Sequence, residues 1–187
     1  SRGLGDVYKR QIRKAVFLDR DGVINHNRSD YVRSTEQLQI FPTALPALAQ
    51  LAKSEYAIVV ITNQSAIGRG LVSAETIAHI NDLLVKRICL GGGRIDGVYL
   101  CPHAPDDACE CRKPRPGLLH QAAREMNLDL TRSWFIGDYL TDMQAAIAAG
   151  ASPILVATGR GKKAYRQLAS ASMEHTPFLP DLLSGVE

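Results

Sequence analysis

Short runs of consecutive apolar residues recur along the chain, and each leads directly into polar, chemistry-bearing residues. Lys14 to Asp19 (KAVFLD) reads as a buried strand that ends abruptly in Asp-Arg-Asp-Gly. A helical period follows from Ala44 to Lys53, then the β-branched run Ala57 to Thr62, then a long helical stretch starting near Ser73, with Ser73 and Thr76 as its cap region. Asp96 to Cys101 predicts a third strand and leads into an irregular segment, after which Pro116 and Gly117 open a helix reaching Met126. Ser133 to Asp138 predicts a fourth strand, Thr141 to Ala149 a helix closed by Gly150, and Pro153 to Ala157 a fifth strand. Pro153 lacks an N–H, which confines it to a strand start or an edge.

Five apolar strands alternating with helices predict an α/β fold, a doubly wound, Rossmann-like parallel sheet whose ligands meet the strand C-termini. The chain has 187 residues with 45% apolar content, enough for one substantial core, so residues 13–187 are read as a single domain. Residues 1–12 (SRGLGDVYKRQI) carry no strand or helix period, no apolar signal core and no initial Met, and read as a leader, tail or cloning remnant. The polar segment Asn25 to Pro42 has no clear period and is expected to cross the rim of the sheet as a flap, whereas Gly91 to Gly93 reads as a turn.

No apolar run approaches the length that crosses a bilayer, so a soluble protein without a membrane partner is expected. The formal charge of +3 is mild and the basic residues are scattered, and aromatic content is 6% without clustering. Nucleic acid is therefore not an expected partner.

The polar residues at the strand ends change the picture most. Asp19 and Asp21 follow strand one, Thr62 and Asn63 end strand two, Lys113 follows strand three and Asp138 ends strand four, so all converge on one rim. Thr62 alone could merely finish a strand, and Lys113 alone would read as a solvated charge. Carboxylates, a hydroxyl and an ammonium together suit a divalent cation and a phosphate, because a hard cation takes oxygen ligands and a dianion needs counter-charge.

Cys101-Pro102-His103 and Cys109-Glu110-Cys111 place three thiols and an imidazole within eleven residues. This is a Cys₃His zinc set, and a filled tetrahedron leaves no open position, so the zinc (Zn2+) at loop 101–111 is expected to be structural. A disulfide from Cys101 to Cys109 or Cys111 is the competing reading and leaves His103 unexplained. A reducing cytoplasm suits free thiols best. Cys89 is expected to be buried and inert, and His26, His79, His120 and His175 have no sequence partners.

Asp19-Arg20-Asp21-Gly22-Val23, Thr62-Asn63, Lys113-Pro114 and Gly137-Asp138 with Asp142 resemble, in order, the motifs of the haloacid dehalogenase (HAD) superfamily. The resemblance implies an Asp19 nucleophile, Asp21 as general acid and base, Thr62 and Lys113 gripping the phosphoryl group, and Mg2+ held by Asp19, Asp21 through its carbonyl, and Asp138. Asp142 would support the metal's water shell or Lys113. The zinc loop fused to Arg112-Lys113-Pro114, with Thr62-Asn63-Gln64-Ser65 and Gly68-Arg69-Gly70, resembles within that superfamily the D-glycero-D-manno-heptose 1,7-bisphosphate 7-phosphatases. That resemblance implies no large cap domain, a small-molecule sugar bisphosphate substrate, and contacts from Asn27, Arg28, Ser29, Asp30, Thr62, Asn63, Gln64, Ser65, Arg112 and Lys113. A guanidinium at Arg112 is apt for a second phosphate, since it presents a planar donor fork. Two rivals are a histidinol-phosphate phosphatase, which would need a site for a cationic amino alcohol, and a zinc-stabilised non-enzymatic binding module. A monomer is expected.

Overall fold

The computed structural model describes residues 12–186. The reading of residues 1–12 as a leader or tail thus lies, Ile12 apart, outside the described residues. Six parallel strands form one sheet in the order β3-β2-β1-β4-β5-β6. They are β1 (Ala15–Leu18), β2 (Ala57–Asn63), β3 (Gly97–Cys101), β4 (Trp134–Gly137), β5 (Ser152–Val156) and β6 (Phe178–Leu179). The helices are α1 (Ala44–Leu51), α2 (Ser65–Gly68), α3 (Ala74–Leu90), α4 (Gly117–Met126), α5 (Leu140–Ala149), α6 (Gly161–Tyr165) and α7 (Leu182–Val186). This is a doubly wound α/β arrangement, with no large cap among the described residues, in which the strand order reverses between β1 and β4.

Strand alternation divides the apolar residues between two faces. Val16, Leu18, Ile58, Val60, Ile136 and Ile154 join a core completed by Ala44 and Leu48 of α1, Ile77, Ile80, Leu84 and Ile88 of α3, and Leu182 of α7. Ala15, Phe17, Val59, Ile61 and Phe135 face a second core closed by Leu118, Leu119 and Ala122 of α4 and Ala145, Ala146 and Ala149 of α5. Because helices cover both faces, the inner strands read as continuous apolar runs.

Local signals fix several boundaries. Ser73 Oγ accepts a hydrogen bond of 3.0 Å from the Thr76 N–H at the start of α3, and Gly150 ends α5 at φ +81°. Pro153 pairs with Phe135 of β4, while β6 meets β5 only at Leu155 and Val156, so no ladder bond is needed from the proline. Among the described residues the sheet has six strands, not the expected five. The additional β6 has two residues between Pro177 and Pro180, too short to show an alternation. Cys89 also departs from expectation and is exposed. The buried stripe of α3 runs through Ile77, Ile80, Asn81, Leu84 and Ile88, and Cys89 lies about 100° round the helix from Ile88.

The segment expected to be a flap is pinned at its base. An isolated bridge joins Asn25 to Ile40, the His26 N–H donates to the Gln39 carbonyl at 2.8 Å, and the Phe41 N–H donates to that of Ile24 at 2.9 Å. Val32 and Leu38 anchor it in the first core.

Candidate active site

The strand ends deliver the site at the point where the strand order reverses. Asp19 follows β1, Asp138 follows β4, and Lys113 arrives from the loop after β3. Lys113 Nζ lies 2.9 Å from Asp19 Oδ1 and 2.7 Å from Asp142 Oδ1, and it donates to the Ile61 carbonyl at 3.0 Å. The backbone of Lys113 is gripped by Asn63, whose Oδ1 accepts from the Lys113 N–H at 3.1 Å and whose Nδ2 donates to the Lys113 carbonyl at 3.2 Å. Burial alone would lower the Lys113 pKa, but the carboxylates of Asp142 and Asp19 outweigh it and hold the ammonium above its ordinary range.

Asp19 responds in the opposite sense. Burial raises its carboxyl well above the usual range, Lys113 offsets part of this, and the charges of Asp142, Asp138 and Asp21 add to the rise. Burial likewise pushes Asp138 up to about 7, with Asp142 reinforcing the effect against hydrogen bonds from Arg160 and Asn27. Three carboxylates held this close to a single lysine leave an excess of negative charge, which suits a bound cation.

The donor set fits a hard divalent ion. One ligand atom each from Asp19, Asp138 and Asp142 lies within 4.8 Å of the others. Asp142 is already engaged, with Oδ1 on Lys113 and Oδ2 accepting from the backbone N–H groups of Asp138 at 3.2 Å and Tyr139 at 3.0 Å. Of the two supporting roles expected for it, the geometry shows the contact with Lys113. Asp19 and Asp138, with the carbonyl of Asp21, remain as oxygen donors. Asn27 ties two of these together: its Nδ2 donates to the Asp21 carbonyl at 3.1 Å and to Asp138 Oδ2 at 3.2 Å. Arg160 adds a backbone N–H to Asp138 Oδ2 at 2.7 Å.

Asp21 points into a network of its own. Its Oδ1 accepts from Asn25 Nδ2 at 2.8 Å, and its Oδ2 accepts from Gln64 Nε2 at 2.9 Å and from Arg20 Nη2 at 2.9 Å. Gln64 Nε2 also donates to Thr62 Oγ1 at 2.8 Å, so buried Thr62 is reached from the cleft through Gln64. Ser65 Oγ lies 3.4 Å from Tyr31 Oη.

Above these residues opens a cleft of about 620 Å³, lined among others by Asp19, Asp21, Asn27, Arg28, Asn63, Gln64, Ser65, Arg112, Lys113, Asp138 and Asp142. Ser29, Asp30 and Thr62 are not part of its lining. Asp30 instead pairs with Arg28 at 3.0 Å and Arg33 at 3.2 Å, all three side chains being well exposed. The cleft also gathers Arg69, Arg115 and Arg160, together with Tyr31 and Tyr139, which sequence reasoning did not single out as site residues. Arg160 had a readable signal, because it follows β5 at the same rim that supplied the other strand-end residues. Tyr31 had none, since its backbone turns through φ +67° in a segment without a period.

The cysteine loop folds into a second cluster. Sγ atoms of Cys101, Cys109 and Cys111 lie 3.2 to 3.5 Å apart, and His103 Nδ1 lies 3.5 Å from Cys101 Sγ and 3.2 Å from Cys111 Sγ. All four cysteines are free thiols. Three thiols and one ring nitrogen converging on a point suit zinc with a filled coordination sphere. Arg112, next in the chain, donates to the His103 carbonyl at 3.3 Å, so the cluster fixes the start of the Arg112-Lys113 pair.

A family model described as HAD-hydrolase-like matches residues 110–184. The chain is 41% identical to a D-glycero-beta-D-manno-heptose-1,7-bisphosphate 7-phosphatase of Bordetella bronchiseptica, over 82% of this chain and 86% of that one. It is 39% identical to the protein of the same description from Pseudomonas putida, over 90% and 95%. Among solved structures, the D,D-heptose 1,7-bisphosphate phosphatase of B. bronchiseptica complexed with magnesium and phosphate superposes with a TM-score of 0.86 at 39% identity, covering 92% of this chain and 96% of that one. The corresponding enzyme of Burkholderia thailandensis gives a TM-score of 0.69 at 35% identity, over 93% and 96%.

Proposed function

Because this chain belongs to the D-glycero-beta-D-manno-heptose-1,7-bisphosphate 7-phosphatase family of HAD-like hydrolases, we propose that it removes the 7-phosphate of D-glycero-D-manno-heptose 1,7-bisphosphate through an aspartyl-phosphate intermediate. The observation that carries the reading is the buried array of Asp19, Lys113 and Asp142 at the base of a cleft rich in arginine. An anionic nucleophile meets an anionic phosphate only where such counter-charge is already in place.

In the first half-reaction an Asp19 oxygen attacks phosphorus in line, the bond to the sugar oxygen breaks, and Asp21 gives a proton to the departing alkoxide. In the second, Asp21 takes a proton from water as the water oxygen bonds to phosphorus, and the bond to Asp19 breaks to release inorganic phosphate. Lys113 balances the phosphoryl oxygens from its perch between Asp19 and Asp142. Thr62 supports this from behind, because its Oγ1 accepts from Gln64 Nε2 and so holds that cleft-lining amide in place. Magnesium, when held by the Asp19 and Asp138 carboxylates and the Asp21 carbonyl, supplies charge neutralisation at the transferring group.

Arg112 receives the second phosphate in a cleft that Arg28, Arg69, Arg115 and Arg160 also line. Asn27 and Ser65 line the sugar's side of the same cleft. Zinc on Cys101, His103, Cys109 and Cys111 is structural. The product, heptose 1-phosphate, serves ADP- or GDP-heptose synthesis for lipopolysaccharide core or surface-layer glycans, in the cytoplasm. Among the described residues no helix is long and apolar enough to cross a membrane.

The test is phosphate release with magnesium from heptose 1,7-bisphosphate, fructose 1,6-bisphosphate and histidinol phosphate in parallel. The heptose compound should lead by at least about 100-fold in kcat/KM, roughly 2.7 kcal/mol of differential transition-state binding. A lead for histidinol phosphate would keep the chemistry and remove the substrate. Asp19→Asn should abolish turnover with zinc content and folding intact.

A further inference from the structure

Arg20, between the nucleophile and the acid–base residue of the same loop, is completely buried and is the largest of the fully buried side chains. Its Nη2 donates to both oxygens of Asp21, at 3.2 and 2.9 Å. Its Nη1 donates to Asn81 Oδ1 at 2.8 Å. Asn81 is the one polar member of the buried stripe of α3, where its neighbours are Ile77, Ile80, Leu84 and Ile88.

A buried guanidinium is costly to a fold unless its donors are satisfied, and here Nε finds no acceptor among the described residues. An apolar pair at positions 20 and 81 would pack this layer without that cost. What the polar pair supplies is direction: a rigid planar guanidinium whose Nη1 is fixed from behind by α3 and whose Nη2 faces both oxygens of a carboxylate that is itself 25% exposed. Asn25 and Gln64 hold the same carboxylate from other sides, but both also bond elsewhere, to the His26 carbonyl and to Thr62.

We propose that Arg20, anchored by Asn81 of α3, is a positioning residue that sets the rotamer of Asp21, so that proton delivery to the leaving group depends on a helix residue that never meets substrate. The inference rests on the reading of Asp21 as the general acid and base. Arg20 acts only through Asp21: during phosphoryl transfer the proton passes from Asp21 to the alkoxide, and the guanidinium keeps its protons throughout.

The two roles separate by leaving group. An alkyl phosphate needs its departing oxygen protonated, whereas p-nitrophenolate departs without a proton. Asn81→Leu, Asn81→Asp and Asp21→Asn are compared with the unaltered chain, loaded with zinc and magnesium. The rates are heptose bisphosphate turnover and the first-turnover burst of nitrophenolate from p-nitrophenyl phosphate; the burst isolates the first half-reaction. Asn81→Leu should slow the sugar phosphate at least about tenfold in kcat with KM unchanged, while the burst changes by less than about threefold. Asn81→Asp, which keeps the acceptor for Arg20, should retain both rates. Equal loss on both substrates, or no loss on either, overturns the inference, provided Asp21→Asn itself shows the leaving-group dependence. If Asp21→Asn lacks that dependence, the reading of Asp21 falls, and the proposed role of Arg20 falls with it. Should Asn81→Leu not fold, Arg20→Lys, which keeps the charge but loses the fork, is read by the same ratio and should show the same selective loss on the sugar phosphate.

Discussion

Lys113 Nζ sits 2.7 Å from Asp142 Oδ1 with the two side chains only 2% and 1% exposed, and the pair joins the loop after β3 to the first turn of α5. Removing the lysine strands two buried carboxylates, Asp142 and Asp19, without counter-charge. Lys113→Met is expected to destabilise the protein by roughly 3–5 kcal/mol, as breaking a buried pair does. Adding Asp142→Leu should recover part of the loss, a non-additivity that a urea-unfolding cycle reads directly. Activity should fall by about 100-fold or more in the single variant, since an oxyanion donor is lost.

Stability should depend on pH with a sign set by Asp19 and Asp138. Both have folded-state pKa values above the ordinary carboxylate range, and Asp138 reaches about 7. In the window from about pH 4 to pH 7 the folded state therefore binds more protons than the unfolded chain, so stability falls as pH rises through it. Thermal unfolding of magnesium-free, zinc-replete protein should give a lower Tm at pH 8 than at pH 6. Magnesium should restore more of the Tm at pH 8 than at pH 6, because the carboxylates must be ionised to bind it. A Tm that rises with pH in the absence of magnesium would contradict the assignment.

Zinc should be present at one equivalent and should be needed for order in the loop, not for the chemical step. Cys111→Ser is expected to lose the metal and to lower both Tm and activity, because Arg112 and Lys113 follow directly in the chain. Excess magnesium should not restore either. Metal analysis beside calorimetry tests this: full activity in zinc-free protein would remove the link between the loop and Lys113.

Gly159 stands against the Asp138 carboxylate, proposed above as a magnesium ligand. A Cβ there would lie 2.1 Å from Asp138 Oδ2 and 2.6 Å from Asn27 Oδ1, at a backbone φ of +56°. Gly70, at φ +68°, has nothing within 4 Å of such an atom. Gly159→Ala should therefore weaken magnesium binding by tenfold or more, on the order of 1.4 kcal/mol, whereas Gly70→Ala should cost about 1 kcal/mol of stability through backbone strain alone and leave magnesium affinity unchanged. Titration of each variant with magnesium, followed by intrinsic fluorescence, separates the two.

Much was legible in the sequence because it is local. Five of the strands, their flanking helices and the strand-end positions of Asp19, Thr62, Lys113 and Asp138 follow from apolar runs that stop at polar residues, a pattern set by burial on both faces of a parallel sheet. The Cys101, His103, Cys109 and Cys111 set was equally readable, since its members are close in the chain and their chemistry is distinctive.

Tertiary packing decided the rest. Asp142 could have faced solvent from the first turn of its helix, and only the arrival of Lys113 from another loop gives it a partner. The sequence assigns Arg20 no role, and only the fold turns it inward onto Asn81, sixty-one residues away in sequence. Cys89 reads as core until the stripe of α3 is counted against the sheet it covers. The reason is common to these cases: an apolar period and a ligand-rich loop are properties of neighbouring residues, whereas the orientation of a charged side chain depends on which distant group can compensate its burial. The sequence by itself determined the fold class and the rim on which the chemistry gathers, and the folded chain alone decided which charge faces which.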